Sequence, residues 1–195
     1  MLTVIWDVDD ILNDLMYQWF FHGWRIEHPD CALSYDELTC NPPHTVLGVE
    51  RAEYLASMDR FRQTERACKM TPNPEVLAWF RKQGYRCRHI ALTARPLETA
   101  PDVAWWVMHH FGAWIRCFGV VPTRTGTNTP VYDQSKGEFI AWLRRGDIFI
   151  DDSSENIFQA ASLGLRTLQP AQPWNNSNLT MDEVLQQISQ MAGEP

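Results

Sequence analysis

Carboxylates fall in two tight groups in this chain, Asp7-Val8-Asp9-Asp10 near the amino terminus and Asp151-Asp152 far downstream. Between them stand Thr93, Arg95 and Lys136, a hydroxyl and two cations of the kinds that bind anionic oxygens. Three or four carboxylates gathered at one point would repel one another and raise each other's pKa unless a cation neutralised them. No His or Cys belongs to the set, so the ligand atoms are hard oxygens, which favour octahedral Mg2+ over zinc. This chemistry requires a fold that brings residues so distant in sequence to one place.

The elements needed to do so are legible. Residues 2–6 form a short apolar run that ends abruptly in Asp7, the pattern of a strand buried on both faces as it leaves a sheet. Similar runs at 90–92, 117–121, 148–150 and 165–168 give five strands. Helices are predicted between them. Asn73-Pro74 opens one that stops at Gly84, and Thr99 to Gly112, Ser135 to Gly146 and Ser154 to Gly164 repeat the pattern. Ser135 with Glu138, and Thr180 with Glu183 before the last helix, are spaced as capping boxes. Alternating short strands and helices imply right-handed crossovers and a Rossmann-like α/β fold, with a parallel five-stranded sheet and helices on both faces. Asp7, Asp9 and Asp10, then Thr93 and Arg95, then Asp151 and Asp152 all follow strand ends, and Lys136 opens a helix facing the same edge. The groups therefore converge.

One stretch breaks the rhythm: from Asp10 to about Thr71 no convincing buried strand occurs. Leu15, Met16, Trp19, Phe20 and Ile26 recur at near-helical spacing within Leu12 to His28, and Gly48 to Lys69 reads as a second, charged helical stretch. Asn41-Pro42-Pro43 marks a break between them. The chain divides into a core domain, residues 1–12 and 72–195, and a helical insertion, residues 13–71. Following the first strand, that insertion must cover the sheet edge where open α/β folds bind ligands, as a cap.

Composition bounds the partners. The 195 residues are 45% apolar and 21% charged, as expected of one globular core with an insertion. Seventeen basic against twenty-four acidic residues, net charge -7, speak against an extended nucleic acid or an anionic membrane as partner. No apolar stretch approaches the ~18 residues of a membrane span. Five cysteines, an odd number without a CxxC pair, point to reduced thiols, and the start of the chain lacks a signal peptide's basic region. A cytoplasmic location is expected, so the glycosylation patterns at Asn175 and Asn178 should go unused.

Asp7-Val8-Asp9-Asp10-Ile11-Leu12 after one strand, Thr93 after another, the lone Lys136, and Ile148-Phe149-Ile150-Asp151-Asp152 together resemble the haloacid dehalogenase superfamily of phosphohydrolases. The motifs occur in that family's order over nearly the whole chain, and the insertion stands where the family carries its first type of cap. The small helical cap and Leu92-Thr93-Ala94-Arg95-Pro96 are similar to the 5'-nucleotidase, or deoxyribonucleotidase-like, branch. Ile11 departs from the Thr or Val common at its position, and Asp10 from a frequent glycine. The resemblance implies that Asp7 is the nucleophile, forming an aspartyl-phosphate, and that Asp9 is the general acid and then the base. It implies that Thr93, Ala94, Arg95 and Lys136 surround the substrate, with Thr93 and Lys136 also acting in catalysis. Asp7, the backbone carbonyl of Asp9, and Asp151 with Asp152 would hold Mg2+. The expected activity is Mg2+-dependent hydrolysis of a small phosphorylated metabolite, with a nucleoside monophosphate favoured and a sugar phosphate next. Oligomeric state stays open.

Other readings compete with this one. An Asp-x-Asp pair alone is more often a turn or a helix cap. An acidic pair after an apolar run also occurs in P-loop hydrolases, but no Gly-x-x-x-x-Gly-Lys-Ser/Thr is present. A phospho-accepting receiver domain would order its groups differently and lacks such an insertion. A non-catalytic regulator could keep the metal site and bind a phosphorylated ligand, yet would not need Asp9. Arg95 is equally suited to substrate binding or local pairing. Trp19, Phe20 and Trp24 could stack a nucleobase, although packing of the cap is the simpler role. His109 and His110 are expected to be structural, and Arg51, Arg60, Arg62 and Arg66 to form a solvated face.

Overall fold

Each predicted apolar run becomes a strand in the computed structural model, which describes residues 1–123 and 129–193. The strands are β1 (Thr3–Asp7), β2 (Arg88–Arg95), β3 (Ile115–Pro122), β4 (Ile148–Ile150) and β5 (Arg166–Leu168). All pair in parallel, in the order β3-β2-β1-β4-β5. The central strand β1 buries Val4, Ile5 and Trp6 completely, which is why its sequence shows no polar alternation. Strand order reverses across β1, so the crevice of the sheet opens at the carboxyl end of β1, beside Asp7. β2 and β3 run longer than their apolar cores because their ladder continues from His89 opposite Ile115 to Arg95 opposite Pro122.

Seven longer helices accompany the strands among the described residues: α1 (Leu15–Trp19), α2 (Arg51–Arg62), α3 (Pro74–Gln83), α4 (Ala100–Phe111), α5 (Lys136–Leu143), α6 (Ser154–Ser162) and α7 (Met181–Met191). Local chemistry sets their ends. The Asn73 side chain accepts from the Glu75 and Val76 amides ahead of Pro74, and Thr180 with Glu183 forms a complete capping box. Ser135 accepts from the Glu138 amide, but Glu138 reaches back to the Gln134 amide, not to Ser135, so only half of the expected box exists. α5 stops three residues before Gly146 because Arg144 adopts φ 51, a left-handed conformation.

The alternation of β1 distributes the core. Val4 and Trp6 join Val76, Phe80, Trp106 and Ile188 of α3, α4 and α7 on one face, while Ile5 joins Phe149, Ile140 and Ala160 on the face covered by α5 and α6. The stretch between β1 and α3 builds its own apolar cluster, with Leu15, Trp19, Phe20, Trp24, Tyr54 and Phe61 among its members. The Asn73 amide donates to the Leu12 carbonyl at 2.8 Å, so the chain enters and leaves this stretch at one point.

Two sequence expectations need correction here. After α1 the helix widens into a π-helical turn, Phe20–Trp24, which shifts the phase of the side chains and leaves Ile26 70% exposed instead of on the apolar face. The expected helix from Gly48 to Lys69 breaks after Arg62, because the Thr64 side chain caps a separate short helix, Glu65–Cys68. No helix among the described residues is long and apolar enough to cross a membrane.

Candidate active site

Asp7 is the last residue of β1, and the chain must turn sharply to leave the sheet. Asp10 makes the turn in a left-handed conformation, φ 62, which a short polar side chain tolerates better than a bulky one. Asn13 Oδ1 accepts from the Asp10 and Leu15 amides, and Asp10 Oδ1 accepts from the Met16 amide at 2.8 Å. Asp10 thus fastens the turn to α1. Asp7 Oδ1 accepts from the Val8 amide at 2.7 Å, which fixes the carboxylate at the mouth of the crevice.

On the neighbouring strand Asp151 and Asp152 follow β4 directly, and Lys136 enters from the first turn of α5. Its Nζ lies 2.6 Å from Asp7 Oδ1 and 2.7 Å from Asp151 Oδ2. Only 3% of Lys136 is exposed. Burial works against its charge, but Asp151 and Asp7 outweigh burial and hold the ammonium above its ordinary pKa. Asn156 Nδ2 donates to both oxygens of Asp151 at 3.1 Å, and the Ser153 amide donates to Oδ1 at 2.8 Å. Asp151 is therefore well supplied with donors. Asp152 receives one strong donor, Trp174 Nε1, 2.5 Å from its Oδ2.

Asp7, Asp151 and Asp152 each offer a carboxylate oxygen within 4.8 Å of the other two, all buried. One lysine does not balance three such groups. Burial, then the neighbouring carboxylates against the pull of Lys136, raises the Asp7 pKa well above its usual range. For the same reasons, burial first and Asp151 next, Asp152 is pushed up to about 6. A hard divalent cation fits both the surplus charge and the all-oxygen donor set.

Thr93 lies on β2 beside β1, where Leu92 pairs with Asp7. Its hydroxyl is fully buried and has no hydrogen-bond partner, an orphan that an anionic oxygen would satisfy. Two residues on, Arg95 turns to Asp9: Nε donates to Oδ2 at 2.7 Å, and an amino nitrogen donates to the other oxygen. Burial alone would raise the Asp9 pKa, but Arg95, with help from Arg62 and Asn13, lowers it. Asp9, held in this way, is not one of the carboxylates that gather within 4.8 Å of one another.

Asp7, Asp9, Asp10, Lys136 and Asp152 line a cavity of about 180 Å³ together with Ala94 and Tyr54, whereas Thr93, Arg95 and Asp151 lie behind its wall. A larger groove of about 650 Å³ opens at the opposite edge of the sheet, near Thr3 and Arg88, and contains none of the predicted site residues. Trp19, Phe20 and Trp24 belong to the insertion's own core and do not line the cavity.

Two residues of this region escape the sequence reading. Arg62, expected on a solvated face, is 13% exposed and points inward, with an amino nitrogen 3.8 Å from Asp9 Oδ2. It is the last residue of α2, and only the packing of that helix against the turn after β1 reveals its direction. Trp174 lies in a loop with no regular period. The chain holds nine tryptophans, and no spacing ties this one to Asp152.

No protein-family model matches the sequence, and no curated protein does. Solved structures share the fold. A haloacid dehalogenase-like family hydrolase from Streptococcus pneumoniae matches with a TM-score of 0.58 at 12% identity, over 94% of this chain and 90% of that one. A subfamily IA hydrolase of the same superfamily from Geobacter sulfurreducens matches at 0.55 with 13% identity, over 96% of each chain. Another superfamily hydrolase, from Ehrlichia chaffeensis, matches at 0.54 with 12% identity, over 97% of this chain and 96% of that one. At such identities the likeness is one of architecture: a five-stranded parallel sheet wrapped by helices.

Proposed function

We propose that this chain, built on the haloacid dehalogenase-like fold, hydrolyses a small phosphomonoester with Asp7 as nucleophile. The observation that carries the proposal is Lys136, which bridges Asp7 and Asp151 beside a triad of buried carboxylates and near the orphan hydroxyl of Thr93. An Asp7 oxygen attacks phosphorus, the bond to the ester oxygen breaks, and an aspartyl-phosphate remains. Thr93 and Lys136 donate to phosphoryl oxygens as charge builds on them, at positions fixed before the reaction begins. Asp9, once it leaves Arg95 and takes up a proton from solvent, gives that proton to the departing oxygen, then removes a proton from the water that releases phosphate. Its ion pair with Arg95 favours the ionised form that the second step needs. Mg2+ held by Asp7, Asp152 and the Asp9 carbonyl, with Asp151 securing Lys136 behind them, would offset the combined charge of carboxylates and phosphate.

The sequence favours a nucleoside monophosphate, but a cavity of about 180 Å³ leaves little room for a nucleoside, and the aromatic side chains of the insertion, Tyr54 among them, are committed to packing, so a smaller ester is the better fit. Residues 13–71 act as the cap in this reading. The test is Mg2+-dependent release of inorganic phosphate from nucleoside monophosphates, sugar phosphates and other phosphometabolites. Asp7→Asn should lower the rate at least about a thousandfold with the fold intact. An active Asp7→Asn protein refutes the mechanism, and silence across the panel favours a protein that binds a phosphorylated ligand without turnover.

A further inference from the structure

Arg62 is largely withdrawn from water and short of partners. A guanidinium carries five N–H donors and no acceptor, so it needs oxygens on several sides when it leaves water. Among the described residues Arg62 makes one long hydrogen bond, to Asp59 Oδ1 at 3.4 Å. Its nearest approach to Asp9, 3.8 Å, is too long for a second, and its Nε is buried with no partner at all. Asp9 does not require this arginine, because Arg95 already engages both of its oxygens. A cation only 13% exposed, with most of its donors unused, is a costly arrangement unless a ligand completes it.

The position of Arg62 says what that ligand is. Arg62 lines the same cavity as Asp7 and Lys136, and it stands on α2 of the insertion, across from the sheet. Under the mechanism proposed above, on which this inference rests, Asp9 hands its proton to the ester oxygen. A group bonded to the first or second carbon beyond that oxygen then falls within reach of the Arg62 fork. The cavity of about 180 Å³ leaves room for a phosphoryl group and a few further heavy atoms, well under the ~300 Å³ at which pockets for drug-sized ligands begin. A planar carboxylate matches the fork with two parallel hydrogen bonds and fits that space.

We propose that Arg62 is a specificity-determining residue that binds the carboxylate of a short phosphorylated hydroxy acid, one or two carbons from the ester oxygen. The experiment compares wild type, Arg62→Lys and Arg62→Met on 2-phosphoglycolate, 3-phosphoglycerate, ethyl phosphate and a nucleoside monophosphate, with Mg2+ present. For wild type, kcat/KM on the two carboxylates should exceed that on ethyl phosphate by at least about thirtyfold, the scale of hydrogen bonds to a buried charge. In Arg62→Met that ratio should collapse, chiefly through KM on the carboxylates, and Arg62→Lys should fall between. Equal rates of wild type on ethyl phosphate and the carboxylates, or a preference for the nucleotide, overturn the assignment whether or not the variants fold. A ratio unchanged in a folded Arg62→Met protein overturns it as well. Release of phosphate from none of the esters defeats the phosphatase reading itself, and this inference with it; hydrolysis without the bias defeats the inference alone.

Discussion

Lys136→Met replaces the buried cation between Asp7 and Asp151 with an apolar chain of similar length. The loss is calculable. Lys136 Nζ contacts both carboxylates at 2.6 and 2.7 Å, and Asp7 and Asp151 are 5% and 0% exposed, so water does not replace the lysine. Removing one partner of a buried ion pair costs roughly 3–5 kcal/mol. Proton uptake sets a ceiling of similar size, because neutralising one carboxyl of ordinary pKa 3.8 at pH 7 costs about 1.36 × 3.2, or ~4 kcal/mol. With 195 residues and ~2.1 cal/mol/K of unfolding entropy each, ~0.4 kcal/mol/K in all, Tm should drop by roughly 7–12 °C. The assay is calorimetric melting of wild type and variant in chelator at pH 7 and pH 5. Carboxyls whose folded-state pKa is raised destabilise the fold while ionised and are relieved as pH falls through that pKa, about 6 for Asp152. The variant's deficit should therefore shrink by more than half at pH 5, and millimolar Mg2+ should narrow it at pH 7. A deficit below about 2 °C at pH 7, or one that persists unchanged at pH 5, would show that Lys136 does not balance this charge.

His89 is 4% exposed, accepts from Trp6 Nε1 at 3.0 Å, and places Nε2 2.7 Å from the Gly84 carbonyl; burial lowers its pKa from 6.5 to about 4. Its neutral form stabilises the fold above about pH 6.5, and that stability is lost as pH falls toward 4, reaching ~2 kcal/mol by pH 5. Urea titrations of His89→Gln at pH 7.5 and 5 should show a pH dependence smaller by that amount, and an identical dependence in both proteins would contradict it. Trp174→Phe keeps a ring against Tyr35 but loses the donor to Asp152 Oδ2. Mg2+ affinity measured by titration calorimetry should weaken by about tenfold, as with other changes behind a metal ligand, and an unchanged affinity would show that Asp152 is placed without it.

The strands, the main helix starts and the convergence of Asp7, Asp9, Thr93, Lys136, Asp151 and Asp152 were legible because each depends on a local rule: an apolar run, a capping side chain, a polar residue at a strand end. What was hidden depends on phase or on distant packing. The π-helical turn at Phe20–Trp24 adds no distinctive residue, yet it rotates everything after it and exposes Ile26. The inward course of Arg62 follows from where α2 lies on the crevice, since Arg60, two residues earlier, faces solvent and pairs with Glu27. The partners of Asp9 were open for the same reason: Arg95 stands at the right strand end, but only the parallel register of β1 and β2 sets the two side chains against each other.

The hydrogen bond from the Asn73 amide to the Leu12 carbonyl ties a neck beneath everything between those residues. With the neck closed, the sheet is indifferent to how much chain lies above it, because the entropy of closing such a loop grows only logarithmically, about 0.6 kcal/mol for each doubling of length. Substitutions, insertions or exchange of the whole helical segment can alter what reaches Arg62's position while β1, β2 and β4 keep their carboxylates in register. On the function proposed above, recognition and reaction become separately heritable in this architecture. A graft at Leu12 and Asn73 should transplant one without the other.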